Sequence, residues 1–154
     1  MARPHRIPGE PEWAGYEDDL DVRYAYHRYF GKTTDEVMYD FRDLVIERAG
    51  ELRSAPRAVF QYYVFAWVDL FGSAGESIGQ SDCASVFLHL LCEREREDAG
   101  SVSEIYDDLR ETVDHVANNQ SFFDADVEIY GDFRDFAAEI RALCESPDAQ
   151  SPVL

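Results

Sequence analysis

The segment from Ala58 to Phe71 limits the fold of this chain more than any other feature. Only Gln61 and Asp69 interrupt its run of apolar side chains. On a helix those side chains cover nearly every face, and a helix that is apolar all round is buried all round. Proline suits a first helical turn, so the helix is expected to begin at Ser54-Ala55-Pro56 and to extend for about 24 Å. We predict a central helix around which a single domain packs.

Apolar periodicity and helix-end signals predict an all-α, single-domain bundle of about six helices, with no confident strand. In chain order the predicted helices cover residues 17–30, 33–50 (or as far as 53), 54–71, 81–98, 101–118 and 132–145. We expect residues 1–16 to form an N-terminal arm, residues 17–145 the domain and residues 146–154 a polar C-terminal tail. Three successive helix pairs leave a short HEAT-like stack open as another packing.

Local signals place several of the predicted helix ends. Gly31 is a suitable stop for the first helix, because glycine tolerates the left-handed conformation that follows many helices. The segment Thr33–Glu36 reads as a capping box at the start of the second helix, and Ser101–Glu104 reads as another at the start of the fifth. Residues 122–130 stay ambiguous, because part of the segment alternates like a short strand that has no partner.

Acidic side chains outnumber basic ones by more than folding requires. Fourteen Lys and Arg stand against 32 Asp and Glu, for a net charge of -18 in a chain that is 45% hydrophobic. That hydrophobic content is enough for a packed core, which excludes a disordered acidic tail. An acidic surface repels nucleic acid phosphates and anionic lipid and attracts basic proteins. We therefore expect a basic protein partner, and neither nucleic acid nor a membrane.

The cysteines and the N-terminal residues predict a cytoplasmic protein. Cys83, Cys92 and Cys144 are odd in number and irregular in spacing, which suits buried thiols in a reducing compartment better than a disulfide framework. Prolines near the start break any helix there, and no apolar stretch follows the first basic residues, so we expect no signal peptide. The central apolar stretch is too short to span a bilayer.

Two short motifs resemble catalytic or phosphate-binding signatures without the context that each needs. Gly75-Glu76-Ser77-Ile78-Gly79 matches the nucleophile-elbow pattern, but a predicted helix precedes it where that pattern needs a strand. Gly31-Lys32-Thr33 resembles the end of a phosphate-binding loop, but Tyr26 stands where the loop needs its first glycine. A helix connection and a pair of adjoining helix ends explain the two motifs better.

Pairs of ligand-type side chains do not add up to a predicted metal site. His89 and Cys92 lie one turn apart among leucines, and structural zinc needs four such ligands. Glu111 and His115 lack the second matching helix of a di-iron bundle. Asp124-Ala125-Asp126 begins like a calcium loop but lacks the glycine of its sharp turn. We expect no metal and no cofactor.

The most informative charged pattern lies on the last two predicted helices. Seven acids recur there at i, i+3, i+7 spacing, which aligns them on one face of each helix opposite the apolar stripe. They are Glu104, Asp107, Glu111 and Asp114 on the fifth helix and Asp132, Asp135 and Glu139 on the sixth. Like charges at this spacing cost a few tenths of a kcal/mol per pair. A solvated face that drifted acidic and a docking ridge both explain the pattern, and we take the seven as candidate partner-binding residues.

The sequence therefore favours a non-catalytic acidic protein-binding domain. The class analogy is a small inhibitor, such as an immunity protein that neutralises a basic toxin, or an adaptor, and it depends on charge and size alone. The alternative is a small helical enzyme or ligand-binding domain with a pocket between the first, third and fourth helices, where the candidates are His27, Tyr63, His89 and Cys92. A homo-oligomer that buries surplus tyrosines also stays open.

Overall fold

The fold is all-α over the residues that the structure, a computed structural model, describes, namely 3–73 and 81–145. The predicted fold class is confirmed. Single 3₁₀ turns at Tyr16–Asp18 and Ser103–Ile105 precede α1 and α8. Among the described residues, no helix combines the length and the apolar character that crossing a bilayer requires. The α-helices are α1 (Leu20–Tyr29), α2 (Thr34–Val37), α3 (Asp40–Asp43), α4 (Val45–Ser54), α5 (Arg57–Tyr63), α6 (Phe65–Ser73), α7 (Ser81–Glu97), α8 (Tyr106–Asn118), α9 (Val127–Tyr130) and α10 (Phe133–Glu145).

The predicted central helix is buried as expected but is divided into two pieces. Every side chain from Val59 to Trp67 is buried. The division falls at Val64, between α5 and α6, where the Trp67 amide donates to the Val64 carbonyl three residues earlier, at 3.1 Å. Hydrogen bonding over three residues tightens a turn and interrupts the α pattern. The prediction of one continuous helix is therefore wrong, whereas its aromatic centre is confirmed by Trp67, whose ring meets that of Phe41 nearly at right angles.

The second predicted helix is interrupted twice. Its capping box is confirmed, because the Thr33 hydroxyl accepts from the Glu36 amide at 3.2 Å and the Glu36 carboxylate accepts from the Thr33 amide at 2.9 Å. After the single turns of α2 and α3, Leu44 leaves the helical region with φ −129° and ψ 47°. The new register buries Arg48 and Leu52 on α4 and leaves Leu44 exposed. On one continuous helix, Leu44 would lie on the same apolar stripe as Val37 and Phe41.

The second predicted capping box, at Ser101–Glu104, does not form, and a 3₁₀ turn occupies residues 103–105. The Ser101 hydroxyl donates to Asp98 at 2.9 Å, and the Glu104 carboxylate accepts from Gln61 at 2.8 Å. Both side chains of the expected box are therefore engaged by residues outside it. The prediction is wrong because tertiary partners override the local pattern.

Arg94 and Glu95, on the buried face of α7, bind the end of α4 and the turn that leads into α8, respectively. The Arg94 guanidinium donates to the carbonyls of Leu52 and Arg53 in the last turn of α4, at 3.0 and 2.8 Å. Buried charges are tolerated when hydrogen bonds satisfy them in this way. The buried Glu95 carboxylate accepts three backbone amides at 2.8 to 3.0 Å, those of Gly100, Val102 and Ser103.

Part of the predicted N-terminal arm lies against the helical body. Trp13 is fully buried, and its ring meets that of Tyr26 edge-on, with 5.4 Å between the ring centres. Arg3 reaches α6, where its guanidinium makes two hydrogen bonds of 2.7 Å to the Asp69 carboxylate. The same guanidinium lies 4.7 Å from the centre of the Phe65 ring. Residues 3–16 are thus anchored by contacts with α1 and α6.

The three cysteines are buried, as the sequence predicted. Cys83 and Cys92 lie on α7, and Cys144 lies on α10. Burial raises the pKa of the Cys83 and Cys144 thiols to about 12, and it also raises the pKa of Cys92. A protonated and enclosed thiol is a poor nucleophile, so these side chains serve packing.

Candidate partner-binding surface

The two helices that carry the candidate acids pack against each other. α8 contacts α10, and two arginines bridge the seam between them. Arg110 on α8 lies 2.9 Å from Glu145 on α10, and Arg141 on α10 lies 3.4 Å from Asp114 on α8. The surfaces of the fifth and sixth predicted helices are therefore neighbours.

Five of the seven candidate acids form ion pairs with arginines of the same chain. Glu111 and Asp135 are exposed and have no ion pair within residues 3–73 and 81–145. The surface is thus more neutralised than the sequence pattern indicates, and its uncompensated charge is concentrated at fewer positions. The pairs are Glu104–Arg57 (3.1 Å), Asp107–Arg110 (3.1 Å), Asp114–Arg141 (3.4 Å), Asp132–Arg134 (3.2 Å) and Glu139–Arg96.

Two of the seven acids make hydrogen bonds that stabilise the fold. Glu104 lies before α8, and its carboxylate accepts from Arg57 and Gln61 of α5 at 3.1 and 2.8 Å. Asp132 precedes α10 and accepts from the amide of Arg134 at 2.9 Å. Hydrogen bonds from the Arg134 guanidinium and amide hold the pKa of Asp132 below its ordinary value. The positions of these two carboxylates are explained without a partner.

Almost all of the basic side chains form ion pairs with carboxylates of the same chain. Twelve of the 13 arginines have a carboxylate within ion-pair distance. Arg23 and the single lysine, Lys32, have no such neighbour in the described part of the chain. Each pair cancels one positive charge near the surface, so the charge that remains toward solvent is predominantly carboxylate.

A groove of about 500 Å³ lies between α6 and α8, beside the acidic row. Asp108 and Glu111 line its α8 side, together with Thr112 and His115. Glu111 is therefore both a candidate binding residue and part of a concave surface. The α6 side is lined by Val68, Phe71 and Gly72.

A second groove, of about 300 Å³, lies between α4 and α7. Its lining is largely aliphatic and includes Ile46, Val86 and Leu90. Arg53 and Glu93 close one part of it with an ion pair of 3.3 Å. This groove differs from the first because it carries no uncompensated carboxylate at its rim.

The sequence did not identify Asp108 or the α6 side of the first groove as parts of a binding surface. Asp108 lies off the i, i+3, i+7 row, beside Asp107, and Phe71 was assigned to the buried central helix. In the structure the Asp108 carboxylate accepts the backbone amide of Arg3. Only the contact between α6 and α8 brings these side chains together, and no local pattern encodes that contact.

The candidates of the enzyme-like alternative lie in different environments. Tyr63 is buried, and its one hydroxyl proton is shared between the carbonyls of Tyr29 and Lys32, both 2.7 Å from the hydroxyl oxygen. His89 is exposed and lines the α4–α7 groove, Cys92 is buried on α7, and His27 is exposed on α1. The Tyr63 hydroxyl therefore holds the end of α1.

The described residues contain no cluster of three or more His, Cys, Asp or Glu side chains that could hold a metal ion. The glycine–serine pattern at residues 75–79 and the predicted C-terminal tail, residues 146–154, lie outside the described residues. Comparison with family models, curated proteins and solved structures finds no match for this chain. Conclusions about its function therefore depend on its own residues and their geometry.

Proposed function

We propose that this chain is a non-catalytic acidic protein-binding domain that docks a basic protein through α8 and α10, in the manner of a small inhibitor or adaptor. The observation that supports it most is that the adjoining helices α8 and α10 expose Glu111 and Asp135, neither of which has an ion pair in the described residues, in a chain of net charge -18. An outward field of one sign steers oppositely charged proteins into contact and accelerates association.

The paired acids of α8 and α10 remain available to such a partner. The Asp107 side chain is 74% exposed although it lies 3.1 Å from Arg110. An exposed ion pair contributes only about 0–1 kcal/mol to stability. A lysine or arginine of the partner can therefore replace the internal arginine at little cost to the fold.

The segment between α8 and α10 adds an apolar component to this surface. Phe122, Val127 and Ile129 are 50%, 52% and 74% exposed, and exposed acids alternate with them. Protein interfaces commonly combine a few large apolar side chains with a charged rim. The combination favours a protein partner over a small cation.

Charge reversal at the two candidate acids without ion pairs tests the proposal. We expect the variant Glu111→Lys with Asp135→Lys to lose capture of its partner from a lysate of the source organism at low salt. The wild type should retain the partner and release it as salt rises, because screening weakens steering between exposed charges. The measurement is pull-down followed by stepwise salt elution and identification of the eluted protein.

A matched control changes the net charge equally at another place. Glu17→Lys with Glu47→Lys reverses two exposed acids, one before α1 and one on α4. This control should capture the partner nearly as well as the wild type. Equal capture by both double variants, with circular dichroism unchanged, would contradict a binding role for α8 and α10.

A further inference from the structure

The α6–α8 groove combines the two chemical features that a long cationic side chain needs. Asp108 and Glu111 are exposed on its α8 side, and Val68 and Phe71 lie on its α6 side. Arginine and lysine pack an apolar stem along such surfaces and present a charged head to carboxylates. A groove of about 500 Å³ has room for one such side chain and part of its backbone.

The chain already binds one arginine on α6 by the same chemistry. The Arg3 guanidinium makes two 2.7 Å hydrogen bonds to Asp69 and lies 4.7 Å from the Phe65 ring centre. Bidentate pairing with a carboxylate and stacking over an aromatic ring are both characteristic of arginine. The Arg3 backbone amide also donates to Asp108 at the edge of the groove. Arg3 of the chain's own N-terminal segment thus borders the groove.

The groove repeats this combination of ring and carboxylate, and no arginine or lysine is among the described residues that line it. Phe71 lies on α6 less than two turns beyond Phe65, and Glu111 supplies a carboxylate with no ion pair in the described chain. Asp108 and Glu111 are three residues apart, so they lie on one face of α8. Two adjacent carboxylates suit the planar fork of a guanidinium better than the compact head of a lysine.

We propose that the α6–α8 groove receives an arginine side chain of the basic protein partner, presented beside Arg3. The inference rests on the proposed function and adds its recognition element. The guanidinium binds Glu111 and Asp108, and the stem packs on Phe71 and Val68. Charge complementarity selects this occupant, because an acidic or neutral side chain would leave both carboxylates without a counter-charge.

Filling the groove without changing its charge tests the proposal. Among the described residues, no atom lies within 4 Å of a Cβ atom added at Gly72, so Gly72→Phe can enter the groove, and the helix α6 accepts phenylalanine better than glycine. Gly50→Phe is the matched control, because Gly50 is equally open and lines the α4–α7 groove instead. Glu111→Gln removes the charge and keeps the shape.

The probe is a fluorescein-labelled hexapeptide with two arginines, and its counterpart has citrulline, the neutral analogue, at both positions. Fluorescence anisotropy should show the arginine peptide binding to the wild type and to Gly50→Phe. We expect Gly72→Phe and Glu111→Gln each to weaken it about tenfold, the loss expected when a charge-assisted contact is removed. The citrulline peptide should bind no variant appreciably.

Three results would overturn the inference: no binding of the arginine peptide, equal binding of the citrulline peptide, or equal affinity of the Gly72→Phe and Gly50→Phe variants. Far-UV circular dichroism confirms that each variant is folded. The proposed function fails separately, when the wild type captures no basic protein that salt releases. Salt-sensitive capture that survives Gly72→Phe would leave the protein-binding role standing and reject the groove as its arginine receptor.

Discussion

Single buried polar residues decide details of this fold that apolar spacing does not. Glu95 is the clearest case, because its carboxylate is buried and accepts the amides of three residues in the turn before α8. Those amides would otherwise be satisfied by a local capping side chain or by water. One side chain on α7 therefore sets where α8 begins and which way its acidic face points.

Removing the Glu95 carboxylate should destabilise the protein strongly. Glu95→Ala leaves buried amides without acceptors, so we expect the free energy of unfolding to fall by roughly 3 kcal/mol or more. Urea unfolding followed by circular dichroism measures the change. Glu97→Ala, on the same helix, breaks only an exposed pair with Arg53 and should cost less than about 1 kcal/mol. Equal losses would show that the turn does not depend on Glu95.

At the scale of helices, the sequence predicted those ends whose causes lie within a few residues. Gly31 has a φ of 80°, as its role as a stop requires, and the box at Thr33–Glu36 forms. The missing box at Ser101–Glu104 depends in part on the contact of Glu104 with Gln61 on α5, and no local pattern marks the breaks at Leu44 and Val64. A local pattern carries no information about such contacts, so these features could not have been predicted.

The candidate surface also combines features that local spacing predicts with features that it does not. Spacing alone identified the acids Asp107, Glu111 and Asp114 as one row on the fifth predicted helix. The neutralisation of Asp114 was not predictable, because its partner Arg141 comes from another helix, whereas Asp107 pairs with Arg110 three residues further along the same helix. The groove was not predictable either, since its two walls are 36 or more residues apart in the chain.

Replacing glycine by alanine should have opposite effects on stability inside a helix and at a turn that needs a positive φ. Gly50 lies inside α4, and no atom of the described residues is within 4 Å of an added Cβ, so Gly50→Ala should stabilise the protein by about 0.5–1 kcal/mol. Gly31→Ala should destabilise it by about 1 kcal/mol, because alanine is strained at a φ of 80°. Thermal and urea unfolding measure both variants. Stabilisation by Gly31→Ala would mean that α1 continues past Tyr29 in solution.

For the whole molecule, ionisation of buried tyrosines should limit stability at high pH. Burial raises the pKa of four tyrosines above the ordinary value of 10.0, and a hydrogen bond to Glu10 raises that of Tyr26 to about 12. The folded state thus holds these phenol protons more tightly than the unfolded chain does. Their contribution is complete below about pH 10 and is lost as pH rises beyond it. The four are Tyr29, Tyr62, Tyr63 and Tyr106.

Urea midpoints recorded at increasing alkaline pH test this expectation. The midpoint should fall above about pH 10, and tyrosinate absorbance should rise together with the loss of helix. Tyr63→Phe should make that fall shallower, whereas Tyr24→Phe, at an exposed position, should leave it unchanged. Tyrosinate formation that is complete while the helical signal is intact would contradict the burial of these phenols.

The enclosed thiols of Cys83 and Cys144 have a practical consequence. One stands near the beginning of α7 and the other near the end of α10, and neither reacts as a thiolate while its surroundings stay closed. An alkylating reagent therefore modifies each only after its helix end detaches. Mass spectrometry of a labelling time course would time those two openings within one unaltered molecule, and a bound partner that braces α10 would delay the Cys144 adduct first.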